Sequence, residues 1–314
     1  MKLLIVYHVY KNYEWLEESL KSVFNQSDKN FSLVLINDDA SKKVDEILNK
    51  FDFDKLNSFQ YFAFNQNVGH SLSFNECINS ATDDFMYYGG SNVIFDKDFV
   101  KVINETITKN KKIDVISLTK INDHGAIMAF DSLPVKLQLM LKQTMHDKIY
   151  LVRMLKERNI RLIEEQYSPF VFNYQIMRDS QKWLVLDRDL IEVKPNKTFS
   201  YNIYDALNQN DLILDEHKNT KFYKQHAQFF EFLMILNTLH VFLKRMILSY
   251  SNKKNRISSI NDAKNWLTKN ISNWKNNKLL NNKALNLPHK QVECYKRFKF
   301  KYSYVMKAMK NDAI

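Results

Sequence analysis

Glycine, proline and cysteine are all scarce in this 314-residue chain, which contains four, four and two of them. So little glycine and proline excludes collagen-like and low-complexity classes, and no Pro/Gly-rich linker separates two domains. Cys77 and Cys294 are far apart and have no metal-ligand spacing. The sequence therefore predicts neither a disulfide framework nor a zinc site, and it indicates a reducing compartment.

Long uncharged apolar runs are lacking too. The most apolar segment, 229–248, is interrupted by Glu231, Lys244 and Arg245, so no transmembrane helix is predicted. The first apolar run, 3–7, has the length of a strand and lacks a signal-peptide cleavage site. We expect a cytoplasmic protein.

Positive charge is concentrated at one end of the chain. Residues 216–314 carry 20 lysines and arginines against five acidic residues, whereas residues 1–215 carry 26 against 30. A basic segment on a mildly acidic body suits an anionic membrane surface or a polyanion. A solvated helical surface explains the same composition, and the sequence alone does not separate these alternatives.

Short apolar runs alternate with amphipathic helical patterns over the first 120 residues. The predicted strands are 3–7, 31–36, 59–64, 85–88 and 115–118. This alternation predicts an α/β fold with a mostly parallel sheet, whose ligands bind beyond the carboxyl ends of the strands. Further on, a helix is predicted around 149–155 and strands at 160–163 and 183–186.

The chain is predicted to be helical and glycine-free from residue 205 onward. We therefore expect a ligand-binding domain at 1–205 and a basic helical subdomain at 206–314. An adjacent glycine pair, Gly89-Gly90, follows the fourth predicted strand. It indicates either a close backbone approach to a ligand or a tight turn.

Polar motifs follow the predicted strands in a fixed order. They are His8-Val9-Tyr10-Lys11, then Asn25-Gln26, Asn37-Asp38-Asp39-Ala40-Ser41, Asn67-Val68-Gly69 and Asn75 to Ala81. In order and spacing, residues 1–95 resemble the family-2 glycosyltransferases, whose GT-A fold is Rossmann-like. The resemblance is weaker over 140–200 and absent beyond about 205.

The resemblance implies a nucleotide-binding pocket. Asp38 matches the family carboxylate that binds the base or ribose, and Asp39 stands beside it. An Asx-turn or a helix cap is the structural alternative for both. The other residues that the resemblance places at the nucleotide are His8, Tyr10, Asn67, Gly69 and Asn75.

The metal-binding motif of the family is missing. Where most members have Asp-x-Asp, this chain has Gly90-Ser91-Asn92, and a divalent cation prefers carboxylate oxygens. We expect Gly89 to Asn92 to face the donor diphosphate without metal ligands, so Mn²⁺ or Mg²⁺ is possible but not favoured. Asp96 and Asp98 are interpreted as a turn and a helix cap.

The general-base motif of the family is also altered. Ser168-Pro169-Phe170 stands where Glu-Asp is expected, so Glu164 and Glu165 are the nearest carboxylates and His146 is another candidate base. Surface glutamates are the alternative reading of the first two. Lys148 or Arg153 could offset diphosphate charge without a metal.

The resemblance implies a transferase that moves a sugar from a nucleotide donor to a cell-surface glycan, a glycolipid or a protein. The main alternative is a catalytically silent relative that binds a nucleotide, a glycan or a partner enzyme. Nucleic-acid binding through the basic aromatic tail leaves the ordered N-terminal motifs unexplained, so no nucleic-acid partner is expected. We expect residues 216–314 to contact the inner face of the cell membrane, near lipid-linked acceptors.

Overall fold

The computed structural model describes residues 2–118, 127–130, 144–164, 169–186, 188–195, 202–281 and 289–314. The chain divides into two compact units, Met1–Ser200 and Tyr201–Ile314. The roles predicted for 1–205 and 206–314 stay predictions, and the two units are described separately below.

A mixed sheet of eight strands forms the first unit, beside a two-stranded sheet. The strands are β1 (Leu3–Val9), β2 (Phe31–Asn37), β3 (Phe59–Ala63), β4 (Phe85–Gly90), β5 (Val93–Phe95), β6 (Val115–Ser117), β7 (Ile127–Phe130), β8 (Lys148–Leu151), β9 (Trp183–Leu186) and β10 (Ile191–Val193). The large sheet has the order β3-β2-β1-β4-β8-β6-β9-β7, and β10 pairs with β5. Strands β1 to β4 are mutually parallel, whereas β8 and β7 run antiparallel to their neighbours.

Helices connect these strands in the alternating order that the sequence predicts. They are α1 (Leu16–Phe24), α2 (Lys42–Leu48), α3 (His70–Ser80), α4 (Phe99–Lys109), α5 (Val152–Glu157) and α6 (Phe170–Asp179). The predicted α/β class with a largely parallel sheet is therefore confirmed.

The two faces of β1 carry different chemistry. Leu3, Ile5 and Tyr7 point to one face and belong to the main hydrophobic cluster, together with apolar residues of α1 and α4. Side chains alternate along a strand, so His8 lies on the opposite face. There it shares the surface with Tyr88, because Val6 pairs with Tyr88 and His8 pairs with Gly90 in the parallel register.

One predicted helix begins later than expected, and one predicted strand is wrong. Residues 148–151 form strand β8, and helix α5 begins only at Val152, because apolar spacing of this kind suits a buried strand as well as a helix. Residues 160–163 form no strand. The backbone N–H and C=O of Leu162 bond instead to the side chain of Asn75, at 3.0 and 2.8 Å.

Helices dominate the second unit, as predicted. They are α7 (Asp205–His217), α8 (Lys221–Leu236), a π-helical segment (Asn237–Leu243), α9 (Lys244–Ser249), α10 (Lys253–Asn270), α11 (His289–Lys296) and α12 (Tyr302–Lys310). The helical segment Lys221–Ser249, which is kinked at His226, is long and apolar enough to cross a membrane, contrary to the sequence prediction. However, 67% of its most apolar stretch is buried within the protein, as in the core helix of a globular unit.

Candidate functional site

The carboxylate of Asp38, just after β2, is fully buried and anchors the loop that precedes α3. Its Oδ1 accepts a hydrogen bond from Val68 N (2.7 Å), and its Oδ2 accepts from Gly69 N (3.0 Å). Oδ2 also accepts from Asn67 Nδ2 (3.2 Å) and pairs with His8 Nε2 (2.9 Å). A direct nucleotide contact, as predicted for Asp38, does not fit this burial, because protein donors already occupy both oxygens. Asp38 positions the loop and His8.

The loop itself needs its glycine. Gly69 has a φ of 89° and immediately precedes the first turn of α3. This backbone conformation strains any residue with a Cβ, so glycine is required for the sharp entry into the helix. Asn67 and Gly69 thus lie together with Asp38 and His8, and their contact with a nucleotide stays a prediction.

One of the two carboxylate oxygens of Asp39 has no hydrogen-bond partner among the described residues. Its Oδ2 accepts hydrogen bonds from the backbone N–H of Lys11 (3.2 Å) and from the hydroxyl of Tyr13. Its Oδ1 is buried and has no hydrogen-bond partner within the described ranges. A buried carboxylate oxygen without a donor is costly, so this atom is well suited to a ligand N–H or O–H. Tyr10 is the residue next to Lys11, whose Nζ lies 4.9 Å from the centre of the Tyr10 ring.

Two of the five non-glycine residues with a positive φ in the described chain lie beside Asp39. Lys11 and Ala40 have φ values of 52° and 48°, in the left-handed region that favours glycine. Each such residue costs about 1–2 kcal/mol relative to right-handed backbone. Strain of this kind clusters at binding sites, where surrounding contacts enforce it. In the glycosyltransferases that the sequence resembles, this motif reads Asp-Asp-Gly-Ser, and the positive φ of Ala40 is the conformation that a glycine at this position would adopt without strain.

The last two residues of β4, Gly89 and Gly90, are packed closely against neighbouring side chains. A Cβ on Gly89 would lie 2.8 Å from Cε1 of Tyr87, and a Cβ on Gly90 would lie 2.9 Å from Oδ1 of Asn92. Close packing therefore explains why both positions are glycine. Contact of Gly89 or Gly90 with a diphosphate stays a prediction.

The residues at this segment do not fit a hard divalent cation. Asn92 is 4% exposed and donates its side-chain N–H to the carbonyl of Lys194 (2.7 Å). Ser91 is 2% exposed and donates its hydroxyl to the carbonyl of Asn12. Over the described parts of the chain, no cluster of three or more His, Cys, Asp or Glu side chains could hold a metal ion.

Asp96 and Asp98 have structural partners. Asp98 stands at the N-cap position of α4, but its side chain makes no capping hydrogen bond. The backbone N–H of Asp98 donates to Oδ1 of Asp96 (2.9 Å). The hydroxyl of Ser27 donates to Oδ1 of Asp98 (2.6 Å). These carboxylates stabilise the turn that leads into α4.

Asn75 is used for packing. Its amide forms the reciprocal pair of hydrogen bonds with the backbone of Leu162. This pair joins α3 to the segment after α5, and it occupies one N–H and the carbonyl oxygen of the side chain. The nucleotide contact predicted for Asn75 has no support from this geometry.

The three candidate bases have different surroundings. Glu164 is exposed, and Glu165 lies outside the described residues. His146 is half-buried, and burial lowers the pKa of its imidazole despite the opposing influence of Asp147 and of a hydrogen bond to the backbone of Tyr88. Its Nδ1 is buried and has no partner in the part of the chain that the structure describes. Which of them removes a proton stays open.

The two cations predicted to offset diphosphate charge are engaged elsewhere. Lys148 is fully buried and donates to Oδ1 of Asp147 (2.6 Å) and to the carbonyl of Thr144 (2.8 Å). The Arg153 side chain is 76% exposed and lies 3.9 Å from a carboxylate oxygen of Glu157. Neither arrangement presents a free positive charge to a buried site.

His70 is the site residue that the sequence did not reveal. It opens α3, and its ring centre lies 5.4 Å from that of His8 and 5.0 Å from that of Tyr88. Burial, together with His8 and His146, lowers the pKa of His70 well below its usual value. A single histidine at the start of a helix carries no sequence signal, because only the fold brings it to His8.

Curated relatives match part of the chain. An uncharacterized glycosyltransferase of Rickettsia conorii is 28% identical over 125 residues, which cover 40% of this chain and 20% of the relative. An uncharacterized glycosyltransferase of Rickettsia felis is 27% identical over the same length and shares. The aligned stretch thus spans about a fifth of these relatives.

Solved structures share the fold over nearly the whole chain. S. aureus TarS 1–349 in complex with UDP-GlcNAc has a TM-score of 0.72 at 14% identity, covering 99% of this chain and 92% of TarS. The mannosyltransferase PcManGT of Pyrobaculum calidifontis, in complex with GDP-Man and Mn²⁺, has a TM-score of 0.53 at 10% identity, covering 99% and 86%. The expected GT-A fold is therefore confirmed.

The family model for glycosyl transferase family 2 matches residues 4–178, which is more than half of the chain. This match includes β1, the Asp38–Asp39 pair, the loop before α3 and the segment after β4. The chain belongs to glycosyl transferase family 2.

Proposed function

We propose that this chain transfers a sugar from a uridine diphosphate donor to a cell-surface glycan, a glycolipid or a protein, without a divalent metal. Family membership supports glycosyl transfer. The fold likeness to TarS bound to UDP-GlcNAc supports a nucleotide-sugar donor of the uridine type.

The observation that carries the proposal is the unpartnered Oδ1 of Asp39. It lies at the carboxyl end of β2, where a parallel sheet binds ligands. Uracil offers an N–H group in the plane of its ring, and a ribose offers hydroxyl groups. Either donor would satisfy this oxygen, with Tyr10 in the neighbouring loop placed to contact the base.

Nucleotide titration tests this assignment. We expect calorimetry to detect UDP binding to the wild-type protein and a loss of about tenfold or more in Asp39→Asn, as for a hydrogen bond to a charged group. Asp52→Asn is the matched control, since the Asp52 side chain is 55% exposed and pairs only with exposed Lys55 within the described residues. Equal UDP affinity in all three proteins would contradict the assignment.

A silent relative remains the second candidate. The observation in its favour is that Ser168-Pro169-Phe170 replaces the usual acidic pair, while the neighbouring Glu164 is exposed. Such a protein would bind a nucleotide sugar without cleaving it. Release of free UDP from a bound nucleotide sugar would exclude this candidate.

We also propose that the second unit contacts the inner face of the cell membrane. Leu248 is 66% exposed near the end of α9, and Ile257 is 38% exposed on α10. Exposed Lys253 and Lys254 lie between them in the chain. Apolar side chains surrounded by lysines suit an anionic bilayer, where each nearby Lys or Arg contributes about 1 kcal/mol.

Liposome co-sedimentation tests the membrane contact. We expect the full chain to bind vesicles that contain anionic lipid and to dissociate as salt screens the charges. Leu248→Asp should weaken binding, whereas Phe62→Asp, at an exposed apolar position of the first unit, should not. Absence of binding at low salt would leave the exposed apolar residues without this role.

A further inference from the structure

Three histidines lie around Tyr88, at the carboxyl ends of β1 and β4. The ring centre of Tyr88 is 6.4 Å from that of His8 and 5.0 Å from that of His70. His146 forms a hydrogen bond to the backbone of Tyr88. His8 pairs with Gly90 in the sheet, so the cluster adjoins the segment that would carry metal ligands in this family.

None of the three rings is fully buried, although only 11% of the His8 side chain is exposed. His8 is oriented by Asp38 through its Nε2. The Nδ1 of His146 has no partner among the described residues. The fold therefore brings the three rings together, and the buried Nδ1 of His146 has an unused hydrogen-bonding position that a ligand would satisfy.

Among the described residues, the cations considered for this region are already paired. The segment after β4 offers no carboxylate for a cation, Lys148 is paired with Asp147, and Arg153 lies beside Glu157. The amino group of Lys194 pairs with Glu192 (2.8 Å). A diphosphate in this region carries two negative charges and needs positive partners when it leaves as UDP.

We propose that His8, His70 and His146 bind the donor diphosphate in place of a divalent cation, and that the cluster takes up a proton when the donor binds. This inference rests on the proposed function, because it names the group that the same site uses to recognise its donor. In the free protein, burial keeps the pKa of His70 and His146 low, so these rings are neutral near pH 7. Negative charge from the diphosphate raises those pKa values.

Each histidine of the cluster has identified titratable or charged neighbours. His8 adjoins Asp38, His70 adjoins the two other histidines and Tyr88, and His146 adjoins Asp147 and Lys148. Because a proton binds together with the donor, affinity should rise as pH falls from the pKa of the complex toward that of the free imidazoles. For one proton the change is about tenfold in Kd per pH unit.

The test is calorimetric titration of the full chain with UDP-GlcNAc in EDTA, from pH 6 to 8, in two buffers of different ionisation enthalpy. A nucleotide sugar has no phosphate monoester that titrates near pH 6, so proton uptake reports on the protein. We expect uptake of up to one proton and Kd values that fall toward low pH. A parallel titration replaces EDTA with Mn²⁺. Binding without proton uptake, or a Kd at least tenfold lower with Mn²⁺ than with EDTA, would overturn the proposal while leaving donor binding intact.

Histidine variants distinguish diphosphate binding from a purely catalytic role. His70→Gln and His146→Gln should weaken UDP-GlcNAc binding and flatten its pH dependence, whereas exposed His289→Gln should do neither. If His146 served only as a base, its variant would lower kcat with Kd unchanged, which would remove it from the cluster. Thermal melts confirm that each variant is folded. Failure of the wild type to bind any nucleotide or nucleotide sugar would overturn the proposed function and this inference together.

Discussion

The Asp38→Asn and Asp39→Asn variants should differ in which property they lose, stability or UDP affinity. The Asp38 carboxylate accepts from two backbone N–H groups and the Asn67 amide, and it pairs with His8, all within a fully buried site. An Asn at position 38 turns an amide N–H toward one part of this donor set. Each buried donor left unsatisfied costs about 1–3 kcal/mol, so we expect a loss of about 3 kcal/mol in the free energy of unfolding.

Asp39→Asn should leave stability nearly unchanged. The Oδ2 contacts to Lys11 N and the Tyr13 hydroxyl can be kept by the amide oxygen, so we expect a cost below about 1 kcal/mol. Its UDP affinity should nevertheless fall, because a neutral amide N–H in place of Oδ1 cannot accept the hydrogen bond that the uracil N–H or a ribose hydroxyl would donate. Asp38→Asn should lower both stability and affinity, since the loop before α3 loses its anchor.

Urea denaturation and UDP calorimetry of the two variants measure these effects side by side. Comparable destabilisation by both substitutions would refute the division of roles. So would an Asp39→Asn protein that binds UDP as tightly as the wild type.

Ala40→Gly should stabilise the protein by about 0.5–1 kcal/mol in urea denaturation, because it relieves a left-handed φ at some entropic cost. The free protein should lose stability below about pH 6.5, because the unfolded chain then protonates the histidines whose pKa burial lowers in the fold: His70, His146, His226 and His240. A free energy of unfolding that stays unchanged from pH 7 to pH 5.5 would contradict this. Gly89→Ala should be destabilising in the same assay, because the new Cβ would lie 2.8 Å from the buried ring of Tyr87.

The first half of the sheet could be predicted from sequence because its strands are continuous apolar runs separated by amphipathic helices. Strand β8 could not, since its apolar residues have a spacing that fits helix and strand alike. The segment around Leu162 could not be predicted for a different reason. The side chain of Asn75 in α3 forms the hydrogen bonds of the Leu162 backbone, and no local sequence pattern reveals a partner so distant in the chain.

The site divides in the same way. Motif order identified the Asp38–Asp39 pair, but which carboxylate faces the protein depends on how the loop before α3 closes over β2. The absence of the Asp-x-Asp motif was evident from sequence. The position of His70 beside His8 and Tyr88 was not. The histidine cluster arises from the register between β1 and β4 and from the start of α3, which are properties of the folded chain.

The most direct measurement is the release of UDP from UDP-GlcNAc and other uridine diphosphate sugars, by the full chain, with EDTA or with Mn²⁺. A glycosyltransferase that binds its donor through Asp39 and needs no metal should release UDP slowly from at least one of these donors in EDTA. Mn²⁺ should add little to this rate, and Asp39→Asn should reduce it. No release from any donor, or release that requires Mn²⁺, would contradict the account.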